Sequence, residues 1–366
     1  MKRMQTVTAV LGAIAQCGFS AACMASEPLS DSPLSLSGYM EAYYVHDFNH
    51  PDNHQRPFFT YSHNRANTPS INLAMVKASI HQPSFRANLA LGSGTYMRAN
   101  YAAEPRGLQK IYEANTGLRL SENADVWLDV GVMPSHIGFE SAVGVENWTM
   151  TRSLLAENSP YYETGARLSY TTDDGKWYMS GLVLNGWQRI TRAEGNTTPS
   201  FGHQLTYKPN DRVTLNSSSF VGNDKSDQDR RMRYFHNFYG QFKLDDAWSV
   251  IAAFDVGAEQ KFRNSSDYNI WFTPIVIARY CYTDALSFSA RAEYYQDKEG
   301  VIIETDTPHG FRTTGYSVNM DYKLHSRVTL RTEVRKFVSK DAIFDEDGER
   351  LKKTNLMIGS AVAISF

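Results

Sequence analysis

The sequence predicts an all-β protein, a transmembrane antiparallel up-and-down β-barrel of about 16 strands. Three observations support this fold class. Segments of about ten residues alternate between polar and apolar side chains. Short turns and long polar loops alternate strictly along the chain. Aromatic residues recur at both ends of the apolar set of each segment, as expected for the two interfaces of a membrane.

The first 25 residues read as a secretory signal peptide rather than as part of the barrel. Lys2 and Arg3 form a positive start, and residues 7–22 are mostly small and apolar but too short and interrupted to span a bilayer. Ala25 offers a small residue for cleavage. The expected mature chain is therefore residues 26–366, all of it outer-membrane barrel.

Cysteine usage fits an exported chain without disulfides. Cys17 and Cys23 leave with the signal peptide, so the mature chain keeps Cys281 alone. Processing as a lipoprotein at Cys23 stays open as a weaker alternative, because Ser20 stands where such sites have leucine.

Charge and hydropathy exclude two other classes. Loss of the two basic signal residues turns 37 basic against 39 acidic residues into 35 against 39, about −4, which argues against nucleic acid binding. No stretch of 18 apolar residues follows the signal, so no transmembrane helix is expected. A barrel escapes this test because only every second residue of its strands is apolar.

Seven short turns alternate with eight long loops, and these fifteen connections join sixteen strands. The turns, such as "HQPS" (81–84), "DDGK" (173–176) and "KPNDR" (208–212), carry the residues of tight hairpin connections. An even strand number places both ends of the barrel on the periplasmic side. The predicted strands are 35–47, 70–80, 85–95, 108–120, 126–133, 161–171, 177–186, 200–207, 213–221, 232–243, 248–259, 269–282, 286–296, 313–324, 327–339 and 354–366.

The apolar parity of each strand carries the aromatics of two predicted girdles. The loop-side girdle comprises Tyr112, Tyr162, Tyr234, Tyr294 and Tyr316. Trp127 and Trp177 fall on the opposite parity, and His203 and His236 fall on the apolar one. The girdle next to the short turns comprises Phe85, Tyr170, Tyr207, Phe242, Trp248, Tyr282, Tyr322 and the last residue, Phe366.

The opposite parity is polar and charged, which predicts a wet lumen, because unpaired charges in a dry core cost several kcal/mol each. A barrel of about 16 strands is wide enough for an aqueous channel. The two lumen aromatics Phe235 and Tyr239 are too few to indicate an aromatic path for a particular solute.

The longest loop, near 134–160, is expected to fold into the barrel and narrow it. Acidic groups on this loop opposite wall arginines would create a transverse field that sorts solutes by charge. The alternative is that these charges pair locally or lie in bulk solvent. The charged residues of this loop are Glu140, Glu146, Arg152 and Glu157. The expected pore-lining and constriction residues are Glu140, Glu146 and Arg152 on the loop, and Arg86, Glu113, Arg119 and Arg167 on the wall.

The stretch "MPSHIGFESAVGVENWTMTRSLLAENSPYYETGARLSY" (133–170) carries a further signal. Its pattern of Gly138 with Glu140, Asn147, the group 151–153, and Pro160 followed by Thr-Gly resembles a signature of the OmpL-like family of β-barrel porins. The similarity extends over about half of the chain, although Thr151 stands where the family pattern has serine. The resemblance implies a Gram-negative outer-membrane location and a channel role, and it brings no catalytic residues.

Passive diffusion of small hydrophilic solutes is therefore the predicted function. A substrate-specific channel, or an adhesin or receptor acting through the long loops, remains an alternative. Expected partners are outer-membrane lipid, lipopolysaccharide and the barrel assembly machinery, which would read Ile364 and Phe366. A homo-oligomer stays open, and no nucleic acid is expected.

No enzyme, cofactor or metal site is expected. His46, His50 and His54 are spaced as on a helix, but Pro51 breaks such a helix and favours solvated loop histidines. The only catalytic candidate, a faint one, is His136, which lies near two serines in the sequence, Ser135 and Ser141.

Overall fold

Residues 33–366 are described by a computed structural model and form a closed antiparallel barrel of sixteen strands. The predicted fold class and strand number are confirmed. The signal peptide prediction lies outside the described residues. The strands are β1 (Leu34–Asp47), β2 (Ser70–His81), β3 (Phe85–Ser93), β4 (Ile111–Arg119), β5 (Asp125–Pro134), β6 (Tyr162–Thr171), β7 (Trp177–Leu184), β8 (Ser200–Asn210), β9 (Val213–Gly222), β10 (Arg233–Lys243), β11 (Trp248–Gln260), β12 (Tyr268–Cys281), β13 (Leu286–Asp297), β14 (Phe311–His325), β15 (Val328–Ser339), β16 (Phe344–Glu346), β17 (Arg350–Lys352) and β18 (Thr354–Ser365).

Each barrel strand pairs with its neighbours in the chain, and β18 closes the barrel by pairing with both β15 and β1. The short hairpin β16–β17 stands apart from the barrel, in the last long loop, and was not predicted. Two short helices, α1 (Thr95–Asn100) and α2 (Leu154–Glu157), lie in loops. None of the helices among residues 33–366 has the length and apolar character needed to cross a membrane.

Side chains alternate between a buried lumen face and an exposed outer face. On the paired strands β10 and β11, Asn237 and Asp255 are buried opposite each other. The next pair along, Phe238 and Phe254, is exposed. Because the backbone pairs around the whole barrel, its polar groups need no partner from lipid.

The predicted turn-side girdle residues all lie on the outer face. Three of them, Tyr170, Tyr207 and Phe242, are half-buried. Trp177 was expected in the lumen, but it also faces outward and stacks on Tyr207 at 4.2 Å between ring centroids. The parity assigned to β7 was therefore wrong. The exposed members of this girdle are Phe85, Trp248, Tyr282, Tyr322 and Phe366.

Tyr162 was expected in the loop-side girdle, and this expectation is wrong. Its ring stacks on Tyr101 at 4.1 Å between centroids, and its hydroxyl lies 3.2 Å from the carboxylate of Glu104. Both partners belong to the loop between β3 and β4, which folds over the upper end of β6 and buries Tyr162. Tyr234 and Tyr316 are exposed.

The polar lumen face also contains an apolar region, larger than the two lumen aromatics noted in the sequence. Near the long loops, wall aromatics and loop residues form one buried apolar cluster. The wall contributes Phe220, Phe235, Trp271, Phe311 and Phe337 to this cluster. The loops contribute Phe59, Ile303, Ile343 and Phe344.

Candidate functional site in the barrel lumen

The loop between β5 and β6, residues 135–161, lies inside the barrel and is called the lumen loop below. Its two ends meet where the Ser135 amide donates to the Tyr161 carbonyl at 3.0 Å. Between them it carries a 3₁₀ turn at Gly144–Glu146 and the helix α2. Most of its side chains are buried, so it is a packed element rather than a solvated connection.

Arg152 holds the lumen loop in shape. Its guanidinium donates to the carbonyls of Ser141 at 2.6 Å, Ala142 at 2.9 Å and Met150 at 3.0 Å. The side chain is fully buried. Arg152 was expected to line the constriction. Its guanidinium is instead buried and bonded to carbonyls of its own loop.

The acidic residues of the lumen loop also make local or loop-to-loop contacts. Glu140 accepts the amide of Ser153, the serine that caps α2, at 3.1 Å. Glu157 accepts the amides of Tyr61 at 2.9 Å and Ser62 at 3.1 Å, which joins the lumen loop to the first long loop. Glu146 is half-buried at the 3₁₀ turn.

One side of the lumen loop is bound to β13–β15 by charged side chains. Glu333 accepts the Thr151 amide at 2.6 Å and its hydroxyl at 2.9 Å. Arg291 donates to the Thr151 carbonyl at 2.8 Å and pairs with Glu333 at 2.7 Å. These groups are fully buried, so each charge depends on its partners for stabilisation.

The same wall contacts the loop on either side of Thr151. Arg331 donates to the Asn147 carbonyl at 2.7 Å, and Arg335 donates to the Arg152 carbonyl at 2.8 Å. The Leu154 amide donates to the Glu293 carboxylate at 2.6 Å. The residues that carry these contacts are called the anchor wall: Arg291, Glu293, Arg331, Glu333 and Arg335.

The opposite side of the lumen loop packs on apolar wall residues. Phe139, Trp148 and Leu155 form a buried cluster with residues of β10–β12, among them Tyr239 and Ile251. The Phe139 and Tyr239 rings are 5.8 Å apart between centroids. Because β12 pairs with β13, the loop lies against one continuous stretch of barrel wall, β10–β15, and fills part of the lumen there.

A second charged group lies on β3–β6. Arg86 donates to both oxygens of Asp129, at 2.7 and 2.6 Å, and lies 4.3 Å over the Trp127 ring. Arg167 shares the same carboxylate at 3.2 Å. Arg119 is paired with Trp127 in the strand register, so it lies beside this group. Two guanidinium groups thus share one carboxylate, and a third lies beside them.

Two nitrogens of this group are left over. Within residues 33–366, the Nε atoms of Arg119 and Arg167 are buried without a hydrogen-bond partner. Glu113 lies on the neighbouring lumen face, where it accepts from Lys77 at 2.6 Å. We call Arg86, Glu113, Arg119, Asp129 and Arg167 the basic wall.

The structure divides the expected constriction residues into two sets that do not meet. Arg86 and Arg167 come together at Asp129 on the barrel wall, with Arg119 beside them, rather than at an acid of the lumen loop. The arginines that contact the loop are those of the anchor wall, which the sequence placed on the lumen face without singling them out. Their signal is the charge alternation Arg-x-Glu, at 291–293 and again at 331–335.

The catalytic candidate does not assemble. The Ser135 and Ser141 hydroxyls each accept a backbone amide at 3.1 Å, from Ile137 and Val143 respectively. His136 instead bonds Glu163 and the Ser219 carbonyl. In the part of the chain that the structure describes, no group of three or more histidine, cysteine, aspartate or glutamate side chains is placed to hold a metal ion.

A family model described as "Putative beta-barrel porin-2, OmpL-like" matches residues 33–366. The chain belongs to this porin family. The family and its fold are those of channels rather than enzymes. No curated relative matches the porin at the sequence level.

Solved porins and channels share the barrel. In-vitro folded OmpT of Vibrio cholerae aligns with a TM-score of 0.59 at 11% identity, over 93% of this chain and 100% of that one. An anion-selective porin from Comamonas acidovorans gives 0.59 at 9%, over 91% and 99%. The DcaP channel of Acinetobacter baumannii gives 0.60 at 11%, over 91% and 97%. At such identities the similarity shows the fold alone.

Proposed function

We propose that this porin is a passive outer-membrane channel for small hydrophilic solutes. The observation that carries the proposal is the lumen loop, which is held inside a closed barrel by charged contacts to β13–β15 and apolar contacts to the adjoining β10–β12. A wall of sixteen strands encloses a wide lumen, and a loop packed inside it limits the size of the solutes that pass. Family membership supports the same function.

We further propose that the channel favours small anions. The basic wall carries three guanidinium groups and two carboxylates, and one of these carboxylates, Glu113, is paired with Lys77, so the wall keeps excess positive charge beside the lumen loop. Fixed charge in a low-dielectric channel attracts solutes of opposite sign. The similarly folded porin of Comamonas acidovorans is described as anion-selective, which is consistent with this preference.

Reconstitution of the mature chain, residues 26–366, in planar bilayers tests both statements. Discrete ohmic steps and a reversal potential displaced toward the anion potential in a salt gradient are expected. A folded, heat-modifiable barrel that never conducts would overturn the channel. Conductance with cation preference would overturn the anion proposal alone.

A substrate-specific channel is a second candidate, and the buried aromatic cluster favours it. Phe235 and Trp271 stack at 6.3 Å between centroids, and Phe59 contacts Phe311 at 4.8 Å, on the side of the long loops. Wall aromatics such as these could hold apolar solute faces if the loops above them move. Liposome swelling with matched polar and partly apolar solutes of one size separates the two candidates.

The end of the chain supports a proposal about assembly. The Phe366 amide donates to the Gly38 carbonyl at 3.0 Å, and the Gly38 amide donates back at 2.6 Å. A side chain at Gly38 would overlap the Phe366 ring. We propose that Phe366 and the half-buried Ile364 form the signal that the assembly machinery recognises. We also propose that residues 1–25 direct the export that comes before assembly.

Deletion of Phe366 should therefore lower the amount of porin in outer-membrane fractions strongly. It should change the thermal midpoint of the refolded barrel in detergent only slightly, because one strand-end pair is lost. Phe366→Tyr, which keeps the ring, is the matched control and should assemble normally. Normal surface levels of the deletion would refute the assembly role.

The outer face supports proposals about partners. The exposed girdle suits outer-membrane lipid and lipopolysaccharide at the level of the headgroups. A trimer form is recorded for OmpT of Vibrio cholerae, and we propose a homo-oligomer here as well. Chemical cross-linking in native membranes should give a band of a defined multiple of the monomer mass. A monomer only would refute it.

A further inference from the structure

His136, at the start of the lumen loop, has both ring nitrogens on hydrogen-bond acceptors. Nδ1 lies 2.7 Å from a carboxylate oxygen of Glu163 on β6, and Nε2 lies 2.8 Å from the backbone oxygen of Ser219 on β9. The ring is completely buried. A neutral imidazole has one N–H, so it would set a lone pair against one of these acceptors. The imidazolium satisfies both contacts.

The barrel wall has room for this ring because of Gly202 on β8. A Cβ atom at that position would lie 2.6 Å from Nε2 and 2.8 Å from Cε1 of His136. Gly202 has ordinary extended backbone in a strand, so conformational freedom does not explain a glycine there. The absent side chain is what lets the ring reach the Ser219 carbonyl.

The other contacts of this arm of the loop are neutral. The Ser218 hydroxyl donates to the His136 carbonyl at 2.8 Å, and the Gly138 amide donates to Asn237 at 3.3 Å. The far part of the loop, by contrast, is held by the charges of the anchor wall. The His136–Glu163 pair is therefore the ionic contact of the arm formed by residues 135–138.

Three titratable groups of the surrounding strands lie near this pair. Arg167, also on β6, repels the imidazolium, and His203 on β8 lies on the other face of the wall. Behind Asn237 stands Asp255 of β11, bonded to the Asn237 amide. The groups are fixed in the barrel wall, whereas His136 belongs to the loop.

We propose that His136 is a positioning residue of the lumen loop, which holds residues 135–138 against β6 and β9 while protonated and releases them when it loses its proton. The consequence for transport rests on the proposed channel function. With the arm released, the loop is attached through the anchor wall and its apolar contacts, and the lumen widens on the side of β6–β9.

The sign of the pH dependence follows from the contacts. Burial works against the charged ring, but the Glu163 carboxylate and the Ser219 carbonyl outweigh it and raise the pKa of His136 above its ordinary value. A raised pKa in the folded state means that the contact is fully present below the ordinary histidine pKa of about 6.5. It is lost as the pH rises through the raised pKa.

Two substitutions separate the roles of the two partners. Glu163→Gln keeps the shape but supplies an amide N–H, which donates to Nδ1 of neutral His136 while Nε2–H still donates to Ser219. The contact then no longer needs the proton. His136→Gln removes the ring and breaks the contact at every pH.

Single-channel conductance of the full mature chain in planar bilayers, between about pH 6 and about pH 9, tests the proposal. Wild-type conductance should rise severalfold across this range. Glu163→Gln should stay near the low wild-type value, and His136→Gln near the high one. A wild-type pH profile retained in His136→Gln would overturn the proposal, as would a flat wild-type profile.

A second readout needs no conductance and so tests the proposal even if the channel function fails. Ile137 is buried beside His136, and a cysteine there should resist a water-soluble maleimide until the arm is released. The exposed Cys281 is first replaced by serine. Rates are divided by those of the unfolded variant at each pH, to correct for thiolate content. Equal protection at low and high pH would overturn the release.

Discussion

The anchor wall and the basic wall carry similar residues in different situations. On β13–β15, arginine and glutamate side chains are fully buried and bonded to the backbone of the lumen loop. On β3–β6, Arg86 and Arg167 share the carboxylate of Asp129, and Arg119 lies beside them in the strand register. Buried charges bonded to the backbone of a loop fix the geometry of that loop, whereas positive charge in excess of its counter-charge acts on solutes.

The largest effect is expected at the anchor wall. Glu333→Gln replaces the carboxylate that accepts the Thr151 amide by a neutral amide, and it leaves the buried Arg291 with Glu293 at 3.4 Å as its remaining counter-charge. Breaking one side of such a buried pair costs about 3–5 kcal/mol. The lumen loop should loosen, the thermal midpoint should fall, and single-channel conductance should rise.

Glu259→Gln is the matched control for that variant. Glu259 also makes a buried pair, with Arg233 at 2.6 Å, but on β10–β11 and away from the lumen loop. It should lower stability without raising conductance. If both variants raise conductance equally, the anchor wall does not act through the loop.

A smaller effect, on selectivity rather than stability, is expected at the basic wall. Arg119→Gln with Arg167→Gln leaves Asp129 bonded to Arg86, so the carboxylate stays paired. The reversal potential in a salt gradient should move toward the cation potential, while the thermal midpoint stays nearly unchanged. Lys176→Gln, in an exposed turn, is the control. An unchanged reversal potential would show that the basic wall does not determine the ion selectivity.

The fold was predictable because its signals are local. The polar–apolar alternation lies within single strands, and the turn-forming residues lie within single turns. The sixteen strands could therefore be predicted from the sequence. The failures have two different causes. Trp177 was misplaced because β7 is only 8 residues long, which leaves few positions to fix its parity. Tyr162 was misplaced because a separate loop covers it.

The site could be predicted only in part because it depends on how a loop meets distant strands. Thr151 and Glu333 are 182 residues apart in the chain, and nothing near either one indicates the other. Strand parity identified Arg86, Arg119 and Arg167 as lumen residues of β3, β4 and β6. It could not show that Arg152, with the same chemistry, would be bonded to carbonyls of its own loop.

The smallest effect, of opposite sign, is expected from the remaining acid of the basic wall. Glu113→Gln frees Lys77, whose ammonium is 2.6 Å from the carboxylate and whose side chain is 29% exposed. A partly exposed pair of this kind contributes less than about 1 kcal/mol, so stability should hardly change. The wall gains one net positive charge, so the reversal potential should move slightly toward the anion potential. The Glu113 variant and the double arginine variant are therefore expected to shift the reversal potential in opposite directions. A general disturbance of the lumen would not produce opposite shifts. A shift toward cations in both cases would mean that selectivity follows the shape of the lumen rather than the charge of this wall.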